Sequence, residues 1–359
     1  MNTTANSSSN SSHTSAHASL PRVLVVGGNK GRWTAAERAH EAGLVSGVEA
    51  WVFATGGNYV CGRELTPAMI AEHDVVIMNL NAITEPQRLA SVRALAENRP
   101  AHVQWVNLLE GDMRWYLRPL PHLRELFDAG TFVNCINVLA HPFIQSLTAS
   151  PVHTLGIPYP AHGVRACATP WPQRKRSVHI CPFLKTRWSE YAVAKNLSLP
   201  ITGYERRLSR KLNTLVRNYQ STGSFVNRDI NKQFADSIYH TPAVDVQYEM
   251  WFEDYYRFAS SSALWLNLDD RYTWGRFVLD AAALGVPLVS TISTGHSARF
   301  FPELTVQSPF DVTEAESMAR RVLTDDTFAA QAADYAWEQL QEYTPQRMKE
   351  KLLNILERA

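Results

Sequence analysis

From Arg22 onward the chain alternates short apolar runs with longer amphipathic stretches, and no feature narrows its possible folds more than this. A strand buried on both faces reads as a continuous apolar run, and the helix that returns the chain for the next parallel strand keeps one polar face for water. Candidate strands lie at residues 22–28, 48–55, 74–81, 102–109, 131–139 and 152–158, and a second series at 177–183, 199–205, 243–248, 263–269 and 286–292. Thr34–Ala42 and Glu85–Asn98 have helix-forming composition, the latter opening on Thr84, Glu85 and Pro86 as a cap and first turn. Residues 312–323 and 325–358 read as helices, interrupted at Pro345, which has no N–H to donate.

Between the two series Pro158, Pro160, Pro170 and Pro172, with Gly156 and Gly163, break the regular pattern. The expected class is α/β, with two Rossmann-like domains facing a cleft and C-terminal helices. The expected divisions are a domain over 21–160, a linker over 161–176, a domain over 177–330 and helices over 331–359. Residues 1–20 are Ser, Thr and Asn with almost nothing apolar to bury, so they read as a disordered tail. Sequons begin at Asn2, Asn6 and Asn10, but no secretion signal precedes them.

A length of 359 residues exceeds what one core usually fills, and 45% hydrophobic against 19% charged residues excludes disorder throughout. No uninterrupted apolar stretch approaches the roughly 18–20 residues of a membrane span, so a soluble, cytoplasmic protein is expected. Cys61, Cys135, Cys167 and Cys181 have no CxxC spacing and read as buried reduced thiols. The net charge of +1 conceals a basic segment: residues 171–235 hold 13 Lys and Arg against three acidic residues, Glu190, Glu205 and Asp229. Such a patch suits a phosphorylated ligand or a polyanionic partner such as DNA, or else forms a solvated helical face.

Several chemistries are disfavoured. Gly27-Gly28-Asn29-Lys30-Gly31 follows the first strand but lacks the GxGxxG spacing, and no acidic residue ends the second candidate strand at Ala54-Thr55, so NAD binding is not expected. There is no GxxxxGK[ST] loop, and Gly295-His296-Ser297-Ala298-Arg299 lacks the final glycine of a nucleophile elbow. No HExxH pair occurs among the twelve His residues, and no required metal is expected.

Residues 243–303 carry the strongest signal: a strand, an acidic-aromatic helix, a strand, a turn containing Gly275, a helix bearing Asp280, and Gly285-Val286-Pro287 entering another strand. This series resembles the donor-binding half of the GT-B glycosyltransferases, particularly the retaining family-4-like group. The family's usual pattern is a glutamate, a Gly-containing turn, a second glutamate and A-x-A-x-G-x-P. Asp280-Ala281-Ala282-Ala283-Leu284-Gly285-Val286-Pro287 matches its latter part with Asp for Glu, and Tyr272 stands in place of the first glutamate.

The resemblance implies a transferase that moves a sugar from a nucleoside diphosphate-sugar, as co-substrate and without a further cofactor, to an acceptor hydroxyl, with retention. The acceptor is left open between a modified DNA base and a glycan. Donor contacts are implied at Tyr272, Gly275, Asp280, Gly295, His296 and Ser297, and at Gly27 and Gly28, which occupy the place of the family's loop over the reacting sugar. Lys185 and Arg187 fall where the family neutralises the departing diphosphate, and Glu110 falls where it places an acceptor-side polar residue. Physically, a helix N-terminus beside Gly275 favours a diphosphate through its exposed N–H groups. Tyr272, uncharged near neutral pH, and the basic segment motivate the alternative, a non-catalytic GT-B-like nucleic-acid-binding or architectural protein.

Overall fold

The computed structural model describes residues 21–82, 85–180, 188–205, 244–248 and 251–358. The tail over 1–20, Thr84, Cys181, Lys185, Arg187 and most of the basic segment lie outside the described residues. The two strand series form two separate six-stranded sheets. The first contains β1 Val23–Gly27, β2 Asn58–Cys61, β3 Val75–Asn79, β4 Gln104–Leu109, β5 Phe132–Cys135 and β6 Val152–His153, in the order β2-β1-β3-β4-β5-β6. The second contains β7 Lys175–Ile180, β8 Ile201–Glu205, β9 Val244–Tyr248, β10 Ser262–Asn267, β11 Leu288–Thr291 and β12 Thr305–Val306, in the order β12-β11-β10-β7-β8-β9.

Every pairing is parallel. The apolar runs therefore serve as strands covered on both faces: β1 and β3 are buried along their whole length. Each sheet has one place where strand order reverses, at β1/β3 in the first and at β7/β10 in the second. In open parallel sheets the loops leaving such strands at their carboxyl ends splay apart and leave a crevice. That rule directs attention to the loops after β1, β3, β7 and β10.

One expected strand is a helix. Residues 48–55 were expected to be extended, but Ala50–Thr55 is helical and the strand comes later, at Asn58–Cys61. Gly56 in the left-handed region (φ 71°) ends the helix, and the N–H groups of Gly56 and Gly57 both donate to the Val52 carbonyl. Val48, Ala50, Trp51 and Val52 are buried, Trp51 completely, and a run of adjacent apolar residues has no clean helical period to read.

One neighbour of that short helix is the last helix of the chain, Pro345–Leu356. The C-terminus thus crosses back onto the first sheet's domain, where Gln104 Nε2 donates to the Leu356 carbonyl (3.1 Å). Thr344 and Pro345 mark the bend that permits the return, and the break expected at Pro345 separates Asp326–Leu340 from this final helix.

The segment expected to link the domains is not a loose one. Ala161–Arg165 and Trp171–Gln173 form short helical turns within it, and just before it Tyr159 is fully buried, its N–H donating to the Tyr343 carbonyl (2.7 Å). Cys61, Cys135 and Cys167 are buried free thiols.

Candidate functional site

The loops leaving β10 and β11 pack against each other. Gly275 (φ 79°) begins the helix Arg276–Leu284, and a Cβ there would collide with the Thr294 carbonyl. Gly295 (φ 50°) sits opposite, where a Cβ would lie 3.0 Å from the Thr273 carbonyl oxygen. Both positions require glycine, because an L side chain rarely adopts these angles and the facing backbone leaves no room. No side chain of the N-cap residue bonds back into the helix at Gly275, and the Gly275 N–H donates to Thr273 Oγ1 (3.3 Å), so the N–H groups of Arg276 and Phe277 stand at the positive end of the helix dipole.

The first domain holds this pair of loops from the other side. Asn137, completely buried just beyond β5, donates from Nδ2 to the carbonyls of Thr273 (2.8 Å) and Ser293 (2.9 Å). Its Oδ1 accepts from the N–H groups of Leu139 (3.0 Å) and Ala140 (3.2 Å), so one amide side chain fixes three backbone segments. Nearby, the Met113 N–H donates to the Tyr272 carbonyl (2.9 Å), and Arg114 chelates Asp112 while reaching Asp270 (3.2 Å).

Asp280 points into this interface. Its Oδ1 accepts from the hydroxyls of Tyr159 (2.5 Å) and Tyr256 (3.2 Å), and Arg276 hydrogen-bonds Tyr256. Burial raises its pKa above the ordinary carboxylate value, with Arg276 and the two tyrosine hydrogen bonds acting against the rise. The ribose-binding role implied for Asp280 thus meets a carboxylate already committed, through one oxygen, to two tyrosines.

Tyr272 is 41% exposed, beside an apolar hollow lined by Met113, Leu117, Leu139 and Phe143. Ser297 is fully buried, with its hydroxyl bonded to those of Ser290 and Thr294. His296 is 2% exposed and caged by Trp274, Phe300 and Tyr343, and neither ring nitrogen has a hydrogen-bond partner. Burial pulls its pKa down to about 3. The side chains of His296 and Ser297 therefore face the protein interior.

On the first sheet, Gly27 ends β1 against the Tyr59 ring, and Gly28 opens the loop above it. Glu110 follows β4: its Oε2 accepts from Asn79 Nδ2 (2.5 Å), and Arg32 lies 3.7 Å from its other oxygen. Arg32 also pairs with Glu49 (3.2 Å), whose pKa burial raises while Arg32 lowers it. The structure so places Gly27, Gly28 and Glu110 at the carboxyl ends of β1 and β4 in the first sheet, and Tyr272, Gly275, Gly295, His296 and Ser297 beyond the carboxyl ends of β10 and β11 in the second. Lys185 and Arg187, which follow β7, lie outside the described residues. Among the described residues no three His, Cys, Asp or Glu side chains are grouped as metal ligands would be.

Sequence reasoning missed Asn137, Tyr159 and Arg276. Asn137 left a faint mark as a polar residue just past an apolar run, and Arg276 as a cation in the first turn after a glycine. Tyr159 left none, because its partner Asp280 lies 121 residues away.

No protein-family model matches the chain. Its fold is similar to the α,α-trehalose 6-phosphate synthase of Burkholderia multivorans (12% identity, TM-score 0.58, covering 82% of this chain and 72% of that one). It is likewise similar to an α-glucosyltransferase in complex with UDP and a 13-mer DNA containing an HMU base (14% identity, TM-score 0.55, 94% and 99% covered). A third similar structure is the trehalose-6-phosphate phosphatase N-terminal domain of Candida albicans (12%, TM-score 0.61, 94% and 96%). The fold is that of the GT-B glycosyltransferases: two parallel sheets with helices around them, and C-terminal helices. No helix among the described residues is long and apolar enough to cross a membrane.

Proposed function

We propose that this protein is a nucleotide-sugar-dependent glycosyltransferase. The observation that carries the reading is the paired turns at Gly275 and Gly295, which leave an uncapped helix N-terminus at a strand-order reversal, facing the first domain. Two of the solved structures with this fold are α-glucosyltransferase complexes with UDP or UDP-glucose, which supports the same donor class here.

In this reading the diphosphate lies against the N–H groups of Arg276 and Phe277 and the backbone of residues 294–297. The helix dipole, with Lys185 and Arg187 after β7, stabilises the charge that develops on the leaving phosphate. The bond from the anomeric carbon to the phosphate oxygen breaks as the acceptor oxygen bonds to that carbon, and the acceptor's proton ends on the departing diphosphate. Glu110, anchored by Asn79, orients the acceptor hydroxyl from the first domain. Retention is expected from the family resemblance.

The test is thermal denaturation with UDP, GDP, ADP, TDP and CDP and their sugar conjugates, followed by transfer assays with the stabilising donor. A rise in Tm with one nucleotide, and donor turnover that falls at least about 10-fold in Glu110→Gln without loss of that rise, are expected. No rise with any nucleotide at millimolar concentration would defeat the reading and favour the nucleic-acid-binding alternative.

A further inference from the structure

A second cavity, of about 560 Å³, lies at the carboxyl ends of β1, β2 and β3, where the order of the first sheet reverses. Its wall brings together Lys30, Arg32, Arg63 and Arg88 against one carboxylate, Glu64. Arg32 is shared with Glu49 and Glu110, whereas Lys30 and Arg63 make no salt bridge among the described residues. Cations converging on one concavity with a single acid raise the local potential and concentrate an anion there.

Lys30 is also the first residue of the 12-residue helix Lys30–Glu41, so the positive end of that helix faces the same space. Asn29 caps that helix, its Oδ1 accepting from the Arg32 N–H (2.8 Å), and its Nδ2 together with the Asn81 amide suits hydroxyl groups. Asn81 in turn adjoins Gly111, next to Glu110, which places the cavity beside the carboxylate assigned to the acceptor.

We infer that this cavity binds a phosphomonoester, with Lys30 and Arg63 on the phosphate, Arg88 adding positive charge to the wall, and Asn29, Asn81 and Glu64 on the hydroxyls of the carbon skeleton that bears it. That this compound is the sugar acceptor rests on the transferase reading; the phosphate site itself does not. A nucleic-acid strand is the poorer occupant. Among the described residues no aromatic side chain lines the cavity to stack a base, and a duplex is far too wide to enter it.

The experiment measures binding of hexose 6-phosphates, the free hexoses, inorganic phosphate and a DNA oligonucleotide by calorimetry. It uses wild type, Arg63→Glu and Lys30→Glu, with the UDP-induced Tm shift followed in each. The expected result is binding of hexose phosphates and not of free hexoses, competition by inorganic phosphate, and at least a ten-fold loss in both variants, whose UDP shift is unchanged. Unaltered binding in both variants, equal binding of free hexose, or oligonucleotide binding in place of the monoesters would overturn it. A UDP shift with no monoester binding refutes this inference alone. Monoester binding with no nucleotide shift refutes the transferase reading and leaves the phosphate site standing.

Discussion

The Tyr159 hydroxyl donates to Asp280 Oδ1 at 2.5 Å, tying the segment between the two sheets to the helix that opens at Gly275. Both groups are buried, so water cannot replace either partner. Tyr159→Phe leaves the carboxylate short of a donor and should lower the unfolding free energy by about 1–3 kcal/mol, measured by urea denaturation. An unchanged midpoint would mean that Tyr256 and Arg276 suffice.

Asp280 also has a pH signature. Its folded pKa is raised, so above the ordinary carboxylate range the folded state holds a proton more firmly than the unfolded state. Stability from this group is therefore greatest at low pH and declines as pH rises through the folded pKa. The difference in stability between Asp280→Asn and wild type should shift in the variant's favour as pH rises from 4 towards neutrality. A difference independent of pH would contradict the raised value.

Two histidines act in the opposite sense. Burial holds both His179 and His296 at a pKa of about 3, against an ordinary value of 6.5. As pH falls from 7 to 5 the unfolded chain takes up protons that the folded chain refuses, which removes about 2 kcal/mol of stability per histidine. His179→Gln or His296→Gln should each flatten the acid limb of the stability curve by about that amount, whatever its effect at pH 7.

Asn137→Ala removes the two donors to Thr273 and Ser293 and the acceptor for Leu139 and Ala140. Several buried backbone groups lose their partner, so a cost of about 2–4 kcal/mol is expected, with a smaller nucleotide-induced Tm shift because the loop pair is no longer held. Chemical denaturation and the nucleotide screen separate the two effects.

Gly275→Ala places a Cβ against the Thr294 carbonyl at a left-handed backbone position. It should cost about 1–3 kcal/mol and abolish nucleotide stabilisation. Gly56→Ala, also left-handed (φ 71°) but with nothing within 4 Å, is the control: about 1 kcal/mol and an unchanged nucleotide shift.

The local pattern of this chain determined its α/β class, the division into two strand series and nearly every strand, because a strand covered on both faces must be apolar whatever lies around it. The turn at Gly275 was legible too, since glycine before a helix of small residues is a local statement. The helix at Ala50–Thr55 was not, because its partners include the C-terminal helix, some 300 residues away in sequence. Asp280 could be read as a motif residue, but its commitment to Tyr159 and Tyr256 was decided by packing across the interface. His296 and Ser297 stood in a promising loop, yet their side chains turn inward, His296 among Trp274, Phe300 and Tyr343 and Ser297 onto Ser290 and Thr294, a grouping made only by the packed fold. Lys30, Arg63 and Arg88 are scattered charges in the sequence; only the convergence of the ends of three parallel strands makes one cavity of them.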